Sequence, residues 1–229
     1  YLEVLSEQLA QFAGAIIVKR LEFLAELERY AKEIHGQITQ DKEQLAFSYE
    51  SSLKEPSQAT ENEITKALKK GFANLQQKEI FQGTTLLGPH RDDVVFKINE
   101  QNVQIYGSQG QQRTTALSVK LAEIELMKNK TGEYPILLLD DVLSELDGNR
   151  QTHLLKTIQG RVQTFLTTPG LNDITQQLIK EPKIFHIDDG QISENSEMAE
   201  NHIDWVSEDE NKVVTFYPKN EKSKKGQST

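Results

Sequence analysis

Leu2, Leu5, Leu9, Phe12 and Ile16 recur at steps of three and four, the spacing of a coiled-coil seam, and predict a helix. A second seam continues through Ile17, Leu21, Leu24, Ala31, Ile34 and Ile38, with Glu22, Glu26, Glu28, Arg29, Lys32 and Glu33 between its members. The change of seam reads as a stutter or a second buried face in one long helix over the first forty residues. Leu45, Phe47 and Tyr49 then alternate with small or polar residues, a short strand. Pro56, among Ser and Thr, marks a loop. Ile64, Leu68, Phe72 and Leu75 stripe a second helix over about 61–78, which Gly71 weakens slightly.

Near Gly83 the pattern changes. Val94, Phe96 and Ile98 alternate before Asn99–Asn102, and Val103 and Ile105 alternate after it, which predicts a hairpin. Ser108 and Gln111 have capping-box spacing ahead of a helix striped by Leu117, Leu121, Ile124 and Met127. Ile136–Leu139 is wholly apolar, which suits a strand buried on both faces, as in a parallel sheet. A helix over 148–158, a strand over 162–167, a helix over 171–180 and a strand over 184–187 follow, the last leading into an Asp189-Gly190 turn. Alternating strand and helix predict an α/β sheet.

Composition sharpens this picture mainly by exclusion. The chain of 229 residues is 36% hydrophobic and 27% charged, ordinary for a globular protein. No apolar run approaches the ~18–20 residues that span a bilayer, so no membrane role is expected. With no cysteine there is neither a disulfide framework nor a thiolate metal site, and the five histidines are scattered. The N-terminus has no targeting signature. It opens on Tyr1, as a piece of a longer protein would. The net charge of −9 is concentrated late: residues 188–229 hold 10 acidic and 5 basic side chains. Low hydrophobicity there predicts an acidic, disordered tail over 191–229, dispensable for folding.

Two constellations carry chemistry. Asp140 and Asp141 close the apolar run and precede Val142–Asp147. Carboxylates at the C-terminal end of a buried parallel strand sit where α/β folds place ligands. One can hold Mg²⁺ through oxygen and a neighbour can orient a water, although two solvated aspartates would look the same. Ser108-Gln109-Gly110-Gln111-Gln112-Arg113 opens a helix whose dipole and N–H groups favour an anion such as phosphate. A plain helix cap would also use these residues. Gly88–Asp93 admits either a structural Arg–Asp cluster or a His-Arg face toward DNA, nucleotide or a partner subunit. Lys66, Lys69 and Lys70 share a helix that could meet DNA phosphates; a solvated face explains them as well.

The order of these features resembles the second half of an ATP-binding-cassette (ABC) ATPase head. Ser108–Arg113 looks like its signature motif, Leu137–Asp141 like the Walker B strand and Ser144–Asp147 like the D-loop. Gln82–Asp93, Gly107–Arg113, Pro135–Asp147 and Arg161–Thr168 resemble the RecF family of recombinational-repair proteins, relatives of the SMC heads, over roughly residues 1–187. The resemblance implies an α/β fold: the C-terminal lobe of an ABC-type P-loop ATPase head (83–190) with a helical, coiled-coil-like arm (1–82). It implies ATP and Mg²⁺ as cofactors, with Asp140 on magnesium and Asp141 orienting water. Ser108, Gly110, Gln111 and Arg113 would meet the nucleotide of a partner head, with Asp147 at the dimer interface and Thr168 near the γ-phosphate. It further implies a cytoplasmic protein that dimerises on ATP, binds single-stranded and gapped duplex DNA, and works with RecO and RecR to load RecA.

Three departures qualify it. No G-x-x-x-x-G-K-[ST] loop occurs in the chain, so it is expected to be inactive alone. Asp141 stands where most cassette ATPases have Glu, which implies slow hydrolysis. Thr167-Thr168 replace the usual switch histidine. A transporter subunit and a non-catalytic coiled-coil module are the rival readings. The long seam ahead of the signature argues against the first, and the Asp140-Asp141 pair against the second.

Overall fold

The computed structural model describes residues 1–54, 56–144, 146–168, 179, 182–188, 191–194 and 211–216. The expected helix over 171–180 and the Asp189-Gly190 turn lie outside the described residues, apart from Ile179. The chain divides into two units, Tyr1–Ala122 and Glu123–Thr229.

The first unit is built on one helix, α1 (Leu2–Thr39), followed by β1 (Leu45–Glu50) and α2 (Glu61–Gln82). Its buried stripe begins at Ala10 and runs through Ala13, Gly14, Ile17, Leu27, Ala31 and Ile34. Ala10, Ala13 and Ile17 pack on Ile64, Leu68 and Phe72 of α2. The expected first seam is not the packing face: Leu2, Leu5, Phe12 and Ile16 are exposed, Phe12 by 69%. Small residues win because they let the helices approach closely. A Cβ on Gly14 would lie 2.3 Å from Thr65 Oγ1. Thr60 and Glu63 form a reciprocal capping box that starts α2, and Gly83 ends it in the left-handed region.

β1 pairs antiparallel with β2 (Asp93–Ile98) from Leu45↔Ile98 to Glu50↔Asp93. This ladder joins residues on either side of position 82, where an arm–head boundary was expected; 83–122 belong to the same unit as 1–82. The predicted hairpin is cut short. β3 is only Gln101–Asn102, and Val103–Tyr106 coil into a helical turn, α3. Asn102 causes this by accepting from the backbone N–H groups of Gln104 and Ile105, a side-chain cap that competes with a strand.

α4 (Gln109–Thr131) runs across the boundary between the units. In the second unit, β4 (Leu137–Asp140) pairs parallel with β5 (Thr164–Thr168), joined through α5 (Gly148–Ile158). Leu154, Leu155 and Ile158 of α5 and Leu166 of β5 are fully buried. Arg161, at the turn after α5, donates to Glu125 and to the Tyr134 hydroxyl. The sheet order is β4-β5-β8-β6-β7, with β6 at Lys183–Asp188, β7 at Gln191–Glu194 and β8 at Asn211–Phe216. Only β4–β5 is parallel among the described pairs. Two expectations change here. β4 is not buried on both faces, since Leu138 is 74% exposed and Ile136 62%. The segment after 191 is not wholly without structure: β8 hydrogen-bonds between β5 and β6.

Candidate functional site

The start of α4 is organised residue by residue. Gly107 N–H donates to Val103 O at 2.9 Å, and a Cβ on Gly107 would come within 2.4 Å of that carbonyl, so glycine is required at this approach. Ser108 and Gln111 form the predicted reciprocal box. Ser108 N–H donates to Gln111 Oε1 at 2.9 Å, and Gln111 N–H donates to Ser108 Oγ at 3.2 Å. Gln112 donates to the carbonyls of Val103, Gln104 and Gly107, tying the preceding turn to the helix. Gly110 lies on this first turn, and its carbonyl accepts from the Thr114 hydroxyl. Ser108 and Arg113 are exposed. A small, exposed, capped N-terminus of a 23-residue helix presents a positive dipole end to an approaching anion.

The second cluster lies at the end of β4. Thr167 Oγ1 donates to Asp140 Oδ1 at 2.6 Å and accepts from Asp141 N–H at 3.0 Å. One hydroxyl thereby fixes both aspartates. Asp141 has φ +50°, a left-handed conformation costing a non-glycine residue about 1 kcal/mol. The Thr167 bond, and one from Ser144 Oγ to Asp141 O at 2.8 Å, hold it there. Thr168, named above as the γ-phosphate contact, is instead 3% exposed. Strand alternation turns Thr164, Leu166 and Thr168 inward and Thr167 toward the aspartates. Asp147 caps α5: it accepts from Arg150 N–H at 3.0 Å and pairs with the Arg150 guanidinium. Gln151, which the sequence reading missed, is buried and donates to Leu143 O at 2.7 Å and Leu146 O at 3.1 Å, bracing the loop after Asp141.

Asp140, Asp141 and Thr167 are thus brought together; Ser108, Gly110, Gln111 and Arg113 form a separate surface in the first unit. Gly88–Asp93 is tied into the first unit by its own hydrogen bonds. Asp92 accepts from the Tyr49 hydroxyl, both Ser51 and Ser52 hydroxyls and Ser52 N–H. Arg91 is spent on Thr84 and Thr85, and His90 meets Thr85. Burial, reinforced by the Asp92 carboxylate, pushes the Tyr49 phenol up to about 12. Lys69 pairs with Glu7 of α1.

No group of three or more acidic or histidine ligands gathers among the described residues. Exposed Asp140, with one oxygen taken by Thr167, nevertheless suits a magnesium ion whose other ligands are waters and nucleotide phosphates. No helix among the described residues is long and apolar enough to cross a membrane.

A parallel strand pair ending in paired carboxylates, together with a capped helix of signature type, fits an α/β head of the ABC ATPase class, which the solved structures below bear out. No protein-family model matches the chain. Curated relatives do. The DNA replication and repair protein RecF of Ligilactobacillus salivarius is 68% identical over 196 residues, 86% of this chain and 52% of that protein. The RecF proteins of Pediococcus pentosaceus and Limosilactobacillus reuteri are 55% and 57% identical, over 86% and 84% of this chain and 53% and 51% of their own lengths. Two solved structures, described as the recombination mediator protein RecF-ATPrS and RecF-ATP in the RecFOR pathway, superpose with a TM-score of 0.72 each. They are 34% and 36% identical over 84% and 85% of this chain and 50% of theirs. The chain belongs to the RecF family, and spans about half the length of the curated relatives it matches.

Proposed function

We propose that this chain supplies the signature and Walker B surfaces of an ATP-dependent, DNA-binding recombination mediator. Asp140 would hold magnesium and Asp141 would orient the attacking water. Ser108, Gly110, Gln111 and Arg113 would close on the nucleotide of a second copy, with Asp147 at the interface between heads. The Thr167 hydroxyl, bonded to both aspartates, would act beside the carboxylates, with Thr168 the next residue toward the γ-phosphate. Such a protein would dimerise on ATP at gapped duplex or single-stranded DNA in the cytoplasm, and act with RecO and RecR to load RecA in DNA replication, repair and the SOS response. The observation that carries this reading is the Asp140–Thr167–Asp141 cluster at the end of the parallel strand. It gives the two carboxylates different surroundings, one bonded at its side chain and the other held by its backbone, as separate metal and water roles require. The slow hydrolysis implied by Asp141 suits a clamp that must persist on DNA.

The test uses a protein of the relatives' full length carrying this sequence, with a gapped duplex. Retention on the DNA should rise when Mg-ATP is added and fall as it is hydrolysed. Equal retention with ATP, ADP and no nucleotide would refute the reading.

A further inference from the structure

The α4 cap does not stand alone. Gln111 Nε2 donates to Glu43 Oε1 at 3.0 Å, and the other oxygen of Glu43 lies 3.2 Å from His35 Nε2. His35 is completely buried, and its Nδ1 lies 3.1 Å from Ser118 Oγ, two turns along α4. A carboxylate only accepts, so Nε2 carries the proton toward Glu43; Nδ1 lies against the Ser118 hydroxyl oxygen, whose own proton is directed at Thr114 O at 2.7 Å. A run of polar contacts therefore leaves α4 at Ser118, crosses the end of α1 through His35 and Glu43, and returns to α4 at Gln111 and Ser108.

The backbone is shaped to make this path. Gln40 and Asp41 have φ +54° and +55°, and both N–H groups turn back onto Gly36 O. Glu43 is thereby folded back against His35. A Cβ on Gly36 would lie 2.6 Å from Asp41 Oδ1, so a larger residue would make that carboxylate shift. A buried histidine given two partners on different elements is costly to place unless both are satisfied, and the path ends at the exposed Ser108 cap. We propose that His35 and Glu43 are positioning residues that hold the N-terminal turn of α4 in the geometry its nucleotide-facing role demands. That role rests on the function proposed above; the positioning itself does not.

Glu43→Ala breaks the path while leaving α1 and β1 packed, and Glu43→Gln restores it. In the latter, the new amide oxygen accepts from Gln111 and the amide nitrogen donates to the deprotonated Nε2 of the other His35 tautomer. Amide hydrogen exchange in this chain reads the cap directly. In Glu43→Ala the Ser108 and Gln111 amides should exchange about fivefold faster, the equivalent of one lost hydrogen bond. Amides in the β1–β2 ladder should not change, and Glu43→Gln should return both rates to the native value. Unchanged rates at Ser108 and Gln111 in Glu43→Ala would overturn the proposal, as would equal acceleration throughout the unit, which would mean general loosening. In the full-length protein the same variant should weaken ATP-driven dimerisation and spare nucleotide binding by the monomer. Faster exchange without that weakening leaves the positioning intact and refutes instead the nucleotide-facing reading of α4.

Discussion

At the scale of single residues, hydroxyls do the organising. Thr167 bonds both aspartates. Thr167→Val should therefore hand the Asp140 carboxylate and the Asp141 N–H, both exposed, to water, at a cost of about 0.5–1.5 kcal/mol, whereas Thr167→Ser should stay near native. Urea unfolding of the two variants checks this; equal stability of valine and serine would show that the hydroxyl holds nothing. Tyr49 makes a pH prediction with a definite sign. Its phenol titrates near 10.0 in the unfolded chain and about 12 in the folded one, because it is buried and donates to Asp92. The folded state keeps the proton where the unfolded state loses it. The resulting stabilisation is whole below pH 10 and disappears as pH rises through about 12. Tyr49→Phe should lack this extra loss, so the stability gap between native and variant should narrow across that window. A gap independent of pH would contradict the assignment.

At the scale of elements, the sequence located most helices and strands but misjudged which faces they bury. Periodicity marks where apolar residues recur, and α1 has two such stripes. Ala10, Ala13 and Gly14 won because their small volume lets α1 and α2 meet closely, a criterion that hydrophobicity does not register. Phe12→Ala should therefore change stability by less than about 0.5 kcal/mol, whereas Ile17→Ala should cost about 2–5 kcal/mol. Thermal unfolding of the pair would reverse that order if the first seam were the packing face. The Ser108–Gln111 box was legible because capping is local in sequence. Thr167 at the aspartates, Gln151 under their loop and the His35–Glu43 path were not, since each depends on strand register or on partners far along the chain. The late segment misled for a related reason. Its composition is polar, yet β8 completes a ladder with two neighbours, and backbone pairing leaves little trace in composition. Deleting residues 191–229 should lower the melting temperature by more than about 5 °C; an unchanged melting temperature would show that β8 adds nothing to the sheet.

At the scale of the whole molecule, the two chemical surfaces lie in different units of a chain that spans about half the length of its relatives. The sequence contains no G-x-x-x-x-G-K-[ST] loop, so on the function proposed here each surface would work on a nucleotide held by other residues. On the proposed function, Ser108 meets a nucleotide bound by a second copy. The most direct measurement is light scattering of the full-length protein with Mg-ATP, comparing native and Ser108→Arg, with nucleotide titration of each monomer alongside. ATP should double the mass of the native protein, while Ser108→Arg should remain monomeric and bind ATP with native affinity. A Ser108→Arg protein that doubles its mass with ATP, or that loses ATP binding as a monomer, would contradict it.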